Sequence, residues 1–128
     1  MRTNTVVIVE DHILLSQAIA SLVNSFSNFT VLYVCKHGKE LLTKLKTPEN
    51  IPDIILMDVN MPIMSGIEAT EILTKEYPTI KVMAFSVEEE DTTIIKMLKA
   101  GAKGYLLKEV DWIIKKRHKK ANPKICLS

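Results

Sequence analysis

Long hydrophobic runs are missing from this 128-residue sequence: none exceeds five residues, whereas a membrane-spanning helix needs roughly 20. A membrane partner is therefore not expected. Cysteine is nearly missing too. Cys35 and Cys126 are too few for a disulfide framework, and neither has a metal-ligand neighbour at close spacing. Glycine and proline are sparse, at 4 and 5 residues, which excludes collagen-like and low-complexity chains. An acid pair at Glu10-Asp11 arrives too early for a secretory signal. These absences together predict a reduced, cytoplasmic setting. What is present is average for a globular protein, with 47% hydrophobic and 25% charged residues, and the length suits one domain with a single core.

The net charge of +2 hides a split. All 15 acids lie in residues 1–111, where eleven bases leave that body at −4. Residues 112–128 carry Lys115, Lys116, Arg117, Lys119, Lys120 and Lys124 and no acid. The sequence thus divides into a mildly acidic domain, 1–111, and a basic C-terminal tail, 112–128. The tail is read as a solvated end rather than a nucleic-acid surface.

Five short continuous apolar runs punctuate the body: Val6–Val9, Val31–Val34, Ile54–Met57, Val82–Phe85 and Tyr105–Leu107. Continuous rather than alternating runs predict strands buried on both faces, as in a parallel sheet. Amphipathic stretches separate them, built on Leu15 to Phe26, on Leu41, Leu42 and Leu45, on Ile67, Ile72 and Leu73, and on Ile94, Ile95, Leu98 and Ala100. Strand–helix alternation implies an α/β domain with helices on both faces of the sheet.

Such sheets place chemistry at the carboxyl ends of their strands. The first run ends in Glu10-Asp11, the third in Asp58, the fourth in Ser86 and the fifth in Lys108. The second ends in Cys35-Lys36, which offers no partner and suits an edge strand. Three carboxylates brought together repel one another unless a cation sits among them. A few oxygen ligands suit Mg²⁺, which keeps several waters and often shares a phosphate. Asp58 is then a ligand only, or a nucleophile as well. The acids also have a plain structural use, since Asp11 is placed to cap the first helix. Ser86 could be a turn hydroxyl, Lys108 a solvated lysine and Tyr105 a core aromatic. Met57, Met61, Met64 and Met83 read as packing, and Cys35 as a small core residue.

The segment Met57-Asp58-Val59-Asn60-Met61-Pro62-Ile63-Met64-Ser65-Gly66 resembles the phosphoacceptor motif of response-regulator receiver domains of two-component signalling. Glu10-Asp11-His12 resembles their acidic pair, Phe85-Ser86 their hydroxyl switch, and Gly101 to Lys108 their aromatic switch and lysine. Asp11-His12, Gly66 to Thr70 and Gly104 to Lys108 are most similar to the LuxR/NarL-type helix-turn-helix subfamily. The resemblance implies a flavodoxin-like, doubly wound, five-stranded parallel sheet of order 2-1-3-4-5. It implies that Asp58 accepts a phosphoryl group from a sensor histidine kinase or phosphotransfer protein. Mg²⁺ would be ligated by Asp11, Asp58 and the Asn60 backbone carbonyl, with Glu10 acting through water. Lys108 would pair with the phosphoryl group, Ser86 and Tyr105 would switch, and Asn60 and Glu88 would tune dephosphorylation. The output face would be helix four, strand five and helix five, a surface for homodimers. Leu14, on the outer side of helix one, would meet the kinase.

The tail departs from this pattern. Val110, Ile113 and Ile114 give an incomplete fifth helix that Pro123 would stop. No helix-turn-helix follows, so DNA contact would come only through an effector domain absent from this sequence. The expected function is a phosphoacceptor switch rather than a turnover enzyme, controlling transcription through such a domain. Two alternatives stand beside it: an interaction module that ignores phosphate, and an aspartyl-nucleophile phosphatase. Asn60 argues against the phosphatase, because it sits where such enzymes carry a second acid and cannot do acid/base work.

Overall fold

A computed structural model describes residues 3–59, 61, 63–86, 91–107 and 125–127. Each continuous apolar run forms a strand. β1 is Asn4–Val9, β2 Phe29–Cys35, β3 Ile54–Asp58, β4 Lys81–Ser86 and β5 Gly104–Leu107. The connecting helices are α1 Ile13–Asn24, α2 Gly38–Lys44, α3 Gly66–Glu76 and α4 Asp91–Ala100. A 3₁₀ turn, Pro48–Asn50, leads into β3. The five strands are parallel in the order β2-β1-β3-β4-β5, as the flavodoxin-like reading expects, with β2 at an edge.

Burial on both faces explains the unbroken run of central β1, whereas edge strand β2, expected to be covered likewise, leaves Leu32 39% exposed because less of the fold lies over the sheet's rim. Odd-numbered Val7, Val9, Ile55 and Met57 enter a core shared with Leu41 of α2, Leu73 of α3 and Met97 of α4. Even-numbered Val6 and Ile8 are equally buried but lie outside that cluster. They belong to the opposite face, where α1 packs on β1 and β2. Right-handed crossovers require this arrangement, because the chain leaves β1 in one direction and β3 in the other.

Three features depart from the expectations. α1 stops at Asn24, with Ser25 donating its amide to Leu22 and Ser21 carbonyls. Phe26, expected on the helical stripe, lies beyond the cap and meets Phe29 edge-to-face at 6.4 Å. Ile95, expected on the apolar stripe of α4, is 48% exposed. Finally, Ile125–Leu127 forms a sixth strand, β6, antiparallel to β5, with Tyr105 opposite Cys126 and Leu106 opposite Ile125. The basic tail thus contributes a strand that no periodic pattern in the sequence announces. The remainder of that tail, including the expected fifth helix, lies outside the described residues. Among the described residues no helix is long and apolar enough to cross a membrane.

Candidate functional site: an acidic cluster at the carboxyl edge of the sheet

Strand register assembles the site. Val9 pairs with Met57, so Glu10 follows in step with Asp58. Asp58 pairs with Phe85, and Ser86 pairs with Leu107. Glu10, Asp11, Asp58 and Ser86 therefore sit in neighbouring positions along one edge. Each of the three acids offers a carboxylate oxygen, and these oxygens lie within 4.8 Å of one another. Glu10 and Asp58 are each only 2% exposed, and Asp11 is exposed. Two buried carboxylates and one at the mouth, all oxygen donors at this spacing, fit a small hard cation.

The loop after β3 is built tightly against the acceptor strand. The amide of Val59 donates to the Phe85 carbonyl at 3.2 Å, and Gly66 donates back to the Val59 carbonyl at 3.0 Å. α3 then starts with Ser65 as its N-cap, whose hydroxyl accepts from the Glu68 amide at 3.2 Å. Ser65 and Glu68 have the spacing of a capping box. A side chain at Gly66 would strike the Asp58 carbonyl oxygen, so glycine lets the first turn of α3 approach the strand that carries Asp58. Within this loop Ile63 holds φ at 71° and is 68% exposed. A β-branched residue rarely adopts that conformation.

The first helix is capped differently from the sequence reading. Asp11 does not cap it; His12 does, because the helix begins at Ile13 and residue 12 is the last extended one (φ −83°, ψ 107°). The imidazole Nδ1 accepts from the Leu15 amide at 3.2 Å. The His12 amide in turn donates to Glu10 Oε2 at 3.1 Å. His37 repeats the device on α2, its Nδ1 accepting from the Glu40 amide at 3.2 Å. A cap of either kind shows no hydrophobic periodicity and is invisible in the sequence unless the residue is one of the usual Ser, Thr, Asp or Asn.

Other expected residues fall as follows. Tyr105 is 2% exposed in the core beneath α4. Cys35 is fully buried, and Met57, Met61 and Met64 pack in or against the core. Burial pushes the Cys35 thiol up to about 12, with the Glu40 carboxylate adding to the rise and the Lys44 ammonium opposing it. Leu14 is 67% exposed beside the site, with Ile13 next to it. Ser86 is placed by its backbone at the end of β4. Lys108, Asn60 and Glu88 lie outside the described residues.

Comparison with known proteins supplies the family and the fold. The chain is 38% identical over 109 residues to the transcriptional regulatory protein DegU of Brevibacillus brevis, covering 83% of this chain and 44% of that protein. It is 40% identical over 103 residues to the response regulator GacA of Pseudomonas viridiflava, covering 80% and 47%. The chain therefore spans about half the length of these curated relatives. The response regulator domain of Thermotoga maritima CheB superposes with a TM-score of 0.76 at 28% identity, covering 85% of this chain and 81% of that one. Residues 6–114 match the family model of the response regulator receiver domain, and the chain belongs to that family.

Proposed function

We propose that this chain is a Mg²⁺-dependent phosphoacceptor switch that takes a phosphoryl group on Asp58. The observation that carries this reading is the acidic cluster, with one oxygen from each of Glu10, Asp11 and Asp58 inside 4.8 Å at the strand ends. Asp11 and Asp58 would hold Mg²⁺ directly with the Asn60 carbonyl, and Glu10 would act through a water. When bound, the ion neutralises phosphoryl oxygens and the repulsion among the carboxylates.

The transfer needs little covalent help from the protein. An Asp58 carboxylate oxygen attacks phosphorus, the bond from phosphorus to the donor's imidazole nitrogen breaks, and the imidazole keeps the electron pair. Lys108 pairs with a phosphoryl oxygen and the Ser86 hydroxyl donates to another. To make that bond Ser86 draws toward the phosphoryl group, and Tyr105, already buried in the core, packs further into the space it leaves. Water later hydrolyses the acyl phosphate, at a rate tuned by Asn60 and Glu88. Each phosphoryl group is held rather than turned over, which suits a switch.

The donor is a sensor histidine kinase or phosphotransfer protein, in the cytoplasm. Exposed Ile13, Leu14 and Ile63, at 60%, 67% and 68%, offer it an apolar landing beside the acids. The receiver body is residues 1–111. Its output runs through the face of helix four, strand five and helix five, as homodimerisation or, through an effector domain, as transcriptional control.

Beryllofluoride with Mg²⁺ mimics a phosphorylated carboxylate and tests the reading. Titration followed by amide chemical shifts is expected to move residues around Asp58, Ser86 and Tyr105 only when both ions are present. An Asp58→Ala chain is expected to stay still. Shifts that persist in Asp58→Ala, or that ignore Mg²⁺, would sink the assignment.

A further inference from the structure

Residue 12 is tied in two directions. Its imidazole closes the first turn of α1 through the Leu15 amide, and its carbonyl accepts from Ser16 at 2.9 Å. Its own amide donates to Glu10 Oε2 at 3.1 Å, while the Glu10 amide donates to the Cys35 carbonyl at 2.9 Å. Glu10 is thus held by its backbone to β2 and by its carboxylate to the residue that caps α1. Histidine is an uncommon cap compared with Asp, Asn, Ser or Thr. The usual acidic choice would here bring a fourth carboxylate to three already within 4.8 Å. A neutral imidazole accepts the same hydrogen bond without adding a negative charge.

We propose that His12 is the positioning residue of the acidic cluster: its ring fixes the turn that aims the residue-12 amide at Glu10, and so sets that carboxylate for the cation. The proposal rests on the Mg²⁺ reading of the cluster given above. His37 supplies an internal control, since it caps α2 with the same Nδ1 geometry and its hydrogen bond does not involve Glu10.

Calorimetric Mg²⁺ titrations of the wild-type chain, His12→Ala, His12→Asn and His37→Ala decide the matter, with thermal unfolding in parallel. His12→Ala is expected to weaken Mg²⁺ binding about fivefold, the scale of the one amide hydrogen bond that would no longer orient the Glu10 carboxylate. His12→Asn keeps a short acceptor and is expected within about twofold of wild type. His37→Ala is expected to lose comparable stability and keep wild-type affinity. Unchanged affinity in His12→Ala, no rescue by asparagine, or an equal loss in His37→Ala overturns the proposal. A wild-type chain that binds no Mg²⁺ overturns the cluster reading and this proposal with it. Should His12→Ala fail to fold, the wild-type tautomer decides: long-range ¹⁵N correlation is expected to place the His12 ring proton on Nε2, and a proton on Nδ1 overturns the cap.

Discussion

Ile63 carries a φ of 71° between the acceptor strand and α3. The left-handed region costs a residue with a Cβ about 1–2 kcal/mol, while glycine pays roughly 0.5–1 kcal/mol in unfolded-chain entropy. Ile63→Gly is therefore expected to raise the melting temperature by about 3 °C; an unchanged or lower value would show that neighbouring contacts repay the strain. Two weak acids, buried Cys35 and half-buried Tyr33, give a pH dependence. Burial pushes Cys35 from 9.0 up to about 12, and burial with the nearby Cys35 pushes Tyr33 from 10.0 to about 12. Above pH 9 the unfolded chain loses the Cys35 proton while the folded chain keeps it, so stability is full below that pH and falls above it. Cys35 contributes a slope of about 1.4 kcal/mol per pH unit, and half-buried Tyr33 adds a smaller, solvent-screened share above pH 10. Urea unfolding across pH 8–11 is expected to show this decline, with its onset between 9 and 10 removed by Cys35→Ala. At this scale Asp58, Glu10 and Asp11 were legible, because strand ends next to acids carry a chemical signal. The His12 cap and the Ile63 conformation were not, because neither depends on a residue type that advertises it.

Elements were the most readable level, and for a physical reason. Strands covered on two faces are apolar at every position, and the five runs stood out for that reason, although edge strand β2 keeps an unbroken run with Leu32 partly exposed. Helix ends were less so. Phe26 continued the apolar spacing of α1, but the chain turned at Ser25, and a capping turn leaves no periodic mark. α3 makes the sharpest element-scale prediction. Its first turn lies so near β3 that a Cβ at Gly66 would meet the Asp58 carbonyl and come within 2.9 Å of Val59 Cα. Gly66→Ala must push helix from strand, an overpacking cost of about 1–3 kcal/mol. Because the displaced strand carries Asp58, Mg²⁺ affinity is expected to fall with stability. Loss of stability with unchanged affinity would show that β3 stays fixed and α3 alone yields.

The molecule as a whole follows from order and register. Placing β1 between β2 and β3 brings Glu10-Asp11 beside Asp58, which converts residues 47 positions apart in sequence into one cluster. The parallel order matched the family resemblance, since four motifs in sequence constrain topology more than any one element. β6 was unforeseen because three residues, Ile125–Leu127, are too few to show a period. It pairs with β5, which would otherwise end the sheet with unpaired backbone groups. Removing residues 125–128 is expected to speed amide exchange in Gly104–Leu107; unchanged exchange would mean that β6 does not protect that edge. The central claim is the chemistry of Asp58. The most direct measurement is intact mass after incubation with acetyl phosphate, with and without Mg²⁺, beside Asp58→Ala. The account predicts one added phosphoryl group in the wild-type chain with Mg²⁺ and none in either control. An adduct retained in Asp58→Ala, or no adduct in a folded chain that binds Mg²⁺ and does not respond to beryllofluoride, would contradict it.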